Sequence, residues 1–186
     1  MLPLTPFQTV GPFFAILVPE RGRVSLASPD APGERIVVNG TVRDGTGRPV
    51  PDALIEVWQA DAAGRCNHPD DTRTAGPDPA FDGFGRVHTD GAGGFSVETI
   101  KPGRVPGLGN RPQAPHLLVG LFARGLLTRL VTRIYFDDEP ANRDDPILAE
   151  IAPDRRATLV AAHAGEGRYT HTLVLQGPGE TVFFDV

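Results

Sequence analysis

Metal-binding or acid–base chemistry in this chain would depend on a small set of side chains. The sequence contains five histidines, two tyrosines and one cysteine. A metal site could be assembled from His68, His88 and His116 together with Asp or Glu side chains, because imidazole and carboxylate groups are common metal ligands. A thiol such as that of Cys66 can be reactive beside a histidine, but a buried and inert cysteine is the more common outcome.

Two charged features could bind a ligand or could be ordinary surface groups. Residues 137–139 are three consecutive carboxylates, which at the end of a strand are far more often a solvated turn or a helix N-terminal cluster than a metal site. Arg124 ends an apolar run, where an arginine is usually a solvated charge. A planar guanidinium is equally well suited to bind a carboxylate, so both interpretations of Arg124 stay open.

The chain is organised around residues 37–66, which predict a strand, a turn and a second strand. Val38, Gly40 and Val42 alternate with polar neighbours, and residues 44–47 favour a turn. In the run Leu-Ile-Glu-Val-Trp at 54–58, Ile55 and Val57 lie on one face and the other three on the opposite face. This pattern is typical of a β-sandwich core.

The remaining pattern predicts further strands, one long surface loop and few helices. We expect a loop at 67–86, a hairpin at 87–100 with its turn at 90–94, a buried central strand at 115–122, a strand at 126–136, and terminal strands at 169–177 and 180–186. Residues 153–163 begin with a proline and stop before a glycine, which predicts a helix with His163 as a surface residue in its last turn.

Composition and charge narrow the classes of function. The chain has 186 residues, a net charge of −5, 22 glycines and 19 prolines, which favours one loop-rich β domain without affinity for nucleic acid. A single cysteine fits a reducing compartment. The N-terminus is a poor signal peptide and no apolar run approaches membrane-spanning length, so we expect a cytoplasmic protein that does not contact a membrane.

Several motifs together resemble one enzyme family. Residues 40–65 follow the pattern G-x-V-x-D-x-x-G-x-P-V-x-x-A-x-I-E-V-W-Q-A-D-A-x-G-R, residues 99–103 read T-x-K-P-G, and residues 132–139 read T-R-x-Y-F-D-D-E. These segments resemble the intradiol ring-cleavage dioxygenases, non-haem ferric enzymes that open catechols between their two hydroxyl groups. The resemblance implies a β-sandwich core with long loops, an extended N-terminal arm and one or two short helices.

The resemblance also implies where iron ligands would lie. Iron-bearing members hold Fe(III) with two tyrosines and two histidines. The matching positions here are Cys66 and Val105 in place of the tyrosines, and His116 and Leu118 at the His-x-His pair. Three of the four ligands are therefore replaced, and we expect a degenerate site in which this chain binds no metal and contains no catalytic residue.

The N-terminal motif T-P-x-Q-T-x-G-P at 5–12 resembles a subunit of heteromeric family members. By that resemblance, residues 1–34 form an arm that contacts a partner subunit, and residues 35–186 form the dioxygenase-like domain. Thr9, Gly11, Pro12 and Arg124 would line the substrate pocket of that partner, a diverged copy of this chain that binds Fe(III), a small aromatic substrate and O2. The assembly would consist of pairs of the two chains.

Two alternatives from other classes remain at this point. The chain could be a self-sufficient dioxygenase with unfamiliar ligands drawn from the histidines and carboxylates named above. It could also be a non-enzymatic binding module of the transthyretin-like kind, which the V-x-D-x-x-G-x-P-V core would allow.

Overall fold

The computed structural model describes residues 22–73, 78–107, 109 and 111–185. The strands are β1 (Arg23–Ser25), β2 (Arg35–Arg43), β3 (Leu54–Trp58), β4 (Phe84–His88), β5 (Gly94–Ile100), β6 (Val105–Pro106), β7 (Pro112–Gln113), β8 (Leu117–Phe122), β9 (Leu130–Phe136), β10 (Val160–His163) and β11 (Arg168–Val174). Short helices lie between β9 and β10: a 3-10 turn at Pro140–Asp144, the α-helix α1 at Pro146–Glu150 and a 3-10 turn at Arg156–Leu159.

Nine strands form one sheet that folds over on itself. Their order is β1-β5-β2-β11-β10-β9-β8-β3-β4, while β6 and β7 pair separately. The first and last strands come close to each other, since the Gly22 amide donates to the His88 carbonyl at 2.8 Å. The two halves of the sheet enclose one main apolar core, so the predicted mainly β, sandwich-like fold is confirmed.

Alternating side chains of β2 and β3 build this core as the sequence predicts. Val38 and Val42 of β2, and Ile55 and Val57 of β3, are at most 1% exposed. Gly40 lies opposite Phe95 across the β2–β5 pair, and a Cβ at this position would lie 2.1 Å from the phenyl ring. Only glycine therefore lets this ring pack across the sheet.

The predicted hairpin at 87–100 is wrong. Residues 90–94 do form a tight turn, in which the Asp90 amide donates to the Gly94 carbonyl at 2.9 Å. However, β4 pairs with β3, whereas β5 pairs with β2 and β1. The turn therefore carries the chain from one half of the folded sheet to the other.

The predicted helix at 153–163 is also wrong. Only Arg156–Leu159 makes a 3-10 turn, and Val160–His163 is strand β10 between β9 and β11. His163 is therefore not a helix cap, and its ring packs against Tyr169 at 5.1 Å. The predicted strand at 180–186 is reduced, among the residues described there, to a bridge between Phe184 and Val131. Helices in the described segments are all too short to span a bilayer.

Candidate functional site

A cavity of about 620 Å³ lies at one end of β3 and β8, beneath the loop that follows β3. One wall is apolar and the rim is polar. Its lining residues are Trp58, Gln59, Ala60, Cys66, His68, Asp70, Asp71, Thr72, Arg73, Val105, Pro106, His116, Leu118 and Arg133. A concave, mostly apolar cavity with a few convergent polar groups is the usual form of a small-molecule site.

The structure brings together all four positions that the sequence assigned to a degenerate iron site. Cys66 follows the loop after β3, Val105 lies on β6, His116 directly precedes β8, and Leu118 is on β8. His116 and Leu118 are two residues apart, so both side chains project from the same side of the chain. This cavity is therefore lined at these four positions by one thiol, one imidazole and two aliphatic side chains.

A turn at residues 61–65 positions Cys66 beside β6. The Asp61 carboxylate accepts hydrogen bonds from the amides of Ala63 and Arg65, at 2.8 and 2.9 Å. Gly64 has a φ of 78°, and a Cβ there would lie 1.9 Å from the Arg104 carbonyl oxygen. Glycine is thus required for the turn to approach the strand that carries Val105.

His116 is held as a neutral imidazole. Its Nδ1 lies 2.7 Å from the Ala114 carbonyl oxygen, which can only accept, so Nδ1 carries the proton and Nε2 is an acceptor. Burial, with a smaller effect of the nearby Arg133 charge, lowers the pKa of His116 from 6.5 to about 4. The ring packs against Tyr135 with centroids 5.4 Å apart.

A network of side-chain hydrogen bonds, which the sequence did not predict, lies behind His116. Arg133 Nη1 donates to Gln113 Oε1 at 2.5 Å and to the Tyr135 hydroxyl at 3.2 Å. The Tyr135 hydroxyl donates to Asp145 at 3.2 Å, and burial raises the pKa of this tyrosine. Asp145 is 1% exposed and also accepts from the amide of Ala114 at 2.7 Å.

Alternation along β9 was the one sequence signal for this chain of hydrogen bonds. Arg133 and Tyr135 are two residues apart in a strand and therefore lie on one face. Gln113 and Asp145 come from distant segments, β7 and the N-cap of α1. Their contact with β9 is visible only in the folded chain.

The polar rim is formed by the loop that follows Cys66. The Cys66 amide donates to Asp71 at 2.8 Å. Arg73 donates to both oxygens of Asp71, at 2.8 and 2.5 Å, and this pairing lowers the pKa of Asp71. The exposed His68 ring packs edge-on against Trp58, with centroids 5.9 Å apart.

The alternative metal site does not assemble in the described part of the chain. His68 and His116 line the cavity, but His88 is buried elsewhere, on β4. No group of three or more His, Cys, Asp and Glu side chains in the described ranges could hold a metal ion. Carboxylates 138 and 139 have structural partners: Asp138 pairs with Lys101 at 3.0 Å, and Glu139 accepts from the Ala141 amide at 3.1 Å.

The remaining predicted site residues concern the partner interface. Arg124 follows β8 in a turn, is exposed, and lies 3.6 Å from the Asp52 carboxylate. Thr9, Gly11 and Pro12 lie outside the described residues. Of the segment assigned to the arm, residues 23–25 form β1 and pair with β5.

Comparison with known proteins gives consistent matches along the whole chain. A family model described as Dioxygenase matches residues 10–177. Alpha chains of protocatechuate 3,4-dioxygenase from Pseudomonas putida and Burkholderia cepacia are 43% and 45% identical; the alignments cover 100% and 98% of this chain and 98% and 97% of theirs. The Burkholderia cepacia beta chain is 43% identical over 80% of this chain and 67% of its own length.

The fold comparison agrees with these sequence matches. The dioxygenase domain of a carbohydrate-binding fusion protein from Streptomyces sp. SirexAA-E superposes with a TM-score of 0.62 at 31% identity, covering 93% of this chain and 98% of that domain. The suspected resemblance is therefore confirmed. This chain belongs to the intradiol ring-cleavage dioxygenase family.

Proposed function

We propose that this chain is the alpha, non-iron-binding subunit of a protocatechuate 3,4-dioxygenase. The complex would use O2 to cleave protocatechuate to 3-carboxy-cis,cis-muconate in the beta-ketoadipate pathway of aromatic catabolism, in the cytoplasm. The observation that carries the proposal is one cavity lined by Cys66, Val105 and Leu118, at positions that the family resemblance assigns to iron ligands. The full-length similarity to two alpha chains supports it.

The side chains at the four positions that the family resemblance assigns to iron ligands do not fit a ferric ion. Fe(III) prefers hard, anionic oxygen donors such as tyrosinate. Cys66 offers a soft sulfur atom, and the side chains of Val105 and Leu118 have no atom that can bind a metal. The fourth position, His116, provides one neutral imidazole. The Fe(III) of the complex is therefore assigned to the beta subunit, and the alpha chain pairs with that subunit to form αβ units.

The contribution of this chain to catalysis would be made across the subunit interface. Thr9, Gly11, Pro12 and Arg124 are proposed to line the substrate pocket of the beta subunit. Arg124 is suited to this role because its side chain is 64% exposed and its contact with Asp52 is long, at 3.6 Å. An exposed ion pair of this kind is weak, so the guanidinium can turn toward a substrate carboxylate.

Iron content and visible absorbance test the proposal most directly. The chain is purified by itself and, separately, after co-expression with its beta-type neighbour. We expect an iron-free, colourless and inactive lone chain, and a coloured, active complex with iron. Stoichiometric iron and ring cleavage in the lone chain would instead support a self-sufficient dioxygenase, and a chain that pairs with no iron-bearing homologue would support a binding module.

The role of Arg124 is tested separately in the αβ complex. We expect Arg124→Gln to raise KM for protocatechuate about tenfold or more, since a charge-assisted hydrogen bond contributes roughly 1.5–3 kcal/mol. Arg143→Gln is the matched control, because Arg143 is exposed on the 3-10 turn after β9. Equal KM values for the two variants would show that Arg124 does not contribute to the substrate pocket.

A further inference from the structure

The cavity is lined by an arginine, Arg133, that forms no direct ion pair with a carboxylate in the described part of the chain. Arg133 is oriented by neutral groups: Nη1 donates to Gln113 and to the Tyr135 hydroxyl, and the guanidinium lies 5.8 Å from the Phe184 ring. Among the residues that the structure describes, no carboxylate forms an ion pair with it. Its Nε and Nη2 atoms donate no hydrogen bond within that same set.

A second arginine at the same cavity shows the contrast. Arg73 donates to both oxygens of Asp71, so its charge is compensated and its fork of donors is used. Asp145, the carboxylate closest to Arg133 along the hydrogen-bonded chain, accepts from the amides of Ala114, Ile147 and Leu148 and from Tyr135. Among the described residues that line this cavity, Arg133 is therefore the arginine whose Nε and Nη2 atoms are free to donate to a ligand.

The groups next to Arg133 add no opposing charge. His116 is neutral, with Nδ1–H bonded to Ala114 and Nε2 left as an acceptor. Trp58, Val105 and Leu118 provide apolar wall. A complementary ligand therefore has a flat, apolar part that packs against these side chains and one anionic group that binds the Arg133 guanidinium.

We propose that this cavity binds a small aromatic carboxylate without a metal ion, with the carboxylate on the Nε–Nη2 edge of Arg133 and the ring against Trp58 and Leu118. A guanidinium edge matches the two oxygens of a carboxylate in geometry. A phosphate dianion fits less well, since one guanidinium would compensate only part of its charge among apolar walls. The volume of about 620 Å³ accommodates a substituted benzoate.

Trp58 allows a direct test, because it is the only tryptophan in the chain. The full chain is treated with a chelator and titrated with benzoate while tryptophan fluorescence is followed, and equilibrium dialysis gives the stoichiometry. We expect saturable binding of one benzoate per chain. Benzamide, which has the same shape without the charge, and inorganic phosphate should each bind at least about tenfold more weakly.

Three substitutions locate the site, and two of them, Arg133→Gln and Arg143→Gln, each remove one positive charge. Arg133→Gln should weaken benzoate binding about tenfold or more, and Arg133→Lys should recover part of it, because lysine restores charge without the planar fork. Arg143→Gln should bind benzoate as the parent chain does. Thermal unfolding of each variant shows whether the fold is retained.

Three results would overturn the proposal: no saturable benzoate binding to the parent chain, equal affinity for benzoate and benzamide, or undiminished binding by a folded Arg133→Gln variant. None of them bears on the iron-free, accessory role, which is decided by the metal content of the lone chain. Conversely, iron in the lone chain would remove the accessory role, whereas benzoate binding to the chelated protein would still be measurable.

Discussion

The inner and outer faces of strands β3 and β8 differ in how freely their side chains can be substituted. On the inner face, Ile55, Val57, Val119 and Leu121 are at most 1% exposed and fill the core. On the outer face, Trp58 and Leu118 line the cavity. Close packing restricts volume and shape on the inner side, whereas an open cavity tolerates exchange of its chemical groups.

The comparison explains how the family fold can persist where, as proposed, the ligand positions have changed. A core residue contacts many neighbours, so its loss leaves a void and weakens every contact around it. A cavity side chain such as Leu118 has neighbours on one side only. Replacing a metal donor there changes the chemistry of the site while the sheet that supports it remains.

The largest effect is expected from restoring donors to the outer face. The variant Cys66→Tyr/Val105→Tyr/Leu118→His supplies two phenolates and a second imidazole beside His116. We expect iron content to rise from background to roughly one ion per chain, with visible absorbance, because Fe(III) favours such donors. Metal analysis and absorption spectra measure it.

The control for this variant is Cys66→Phe/Val105→Phe/Leu118→His, which has nearly the same volume without the phenolic oxygens. If both variants unfold cooperatively and bind equally little iron, the cavity has diverged in shape as well as in chemistry. The comparison of the two faces would then fail.

Truncation on the two faces should differ in stability. Ile55→Ala removes a fully buried side chain from the core and should lower the free energy of unfolding by about 3 kcal/mol. Leu118→Ala, on the cavity side, should lower it by about 1 kcal/mol, since less apolar area leaves contact with the protein. Urea unfolding measures both, and equal losses would contradict the proposed difference between faces.

Acid should destabilise the chain through two histidines held neutral by burial. Burial lowers the pKa of both His116 and His171 from 6.5 to about 4. The unfolded chain therefore binds more protons than the folded chain below pH 6.5, so stability falls as pH decreases from 6.5 to about 4. At pH 5 each histidine accounts for about 2 kcal/mol.

The measurement is urea unfolding at pH 7 and pH 5, for the parent and for His116→Gln. The parent should lose about 4 kcal/mol and the variant about half of that. The paired carboxylate of Asp138, whose pKa is lowered from 3.8 against the opposing effect of burial, contributes only at still lower pH. An identical pH dependence in the two proteins would show that His116 is not held neutral.

A substitution of Asp145 tests the hydrogen bonds that support the cavity wall. Asp145→Asn should cost about 2 kcal/mol, because Asp145 accepts through both oxygens and an amide must turn its NH2 toward a backbone N–H. Asp44→Asn is the control: among the described residues only Oδ1 of Asp44 accepts hydrogen bonds, in an exposed turn, so the amide oxygen can replace it. Equal stability of the two variants would show that Asp145 does not hold the cavity wall in place.

Local patterns in the sequence predicted the elements better than their pairing. Alternation over residues 54–58 placed Ile55 and Val57 in the core correctly, because period-two burial is a local property of a strand. The turn at 90–94 was also predicted, but not the separation of β4 from β5. The same turn hydrogen bonds form in a hairpin and in a crossover, so residues in the turn carry no information on which strands pair.

The amino-acid sequence by itself determined the family and the mainly β architecture, and it supplied the proposal that iron ligands are replaced at 66, 105 and 118, since these depend on residue types in order. Tertiary structure decided that 160–163 is a strand, because β9 and β11 satisfy its backbone on both sides. It also decided that Arg133 meets Gln113 and Tyr135 at the cavity. Such contacts join segments distant in the chain, and only folding brings them within hydrogen-bond distance.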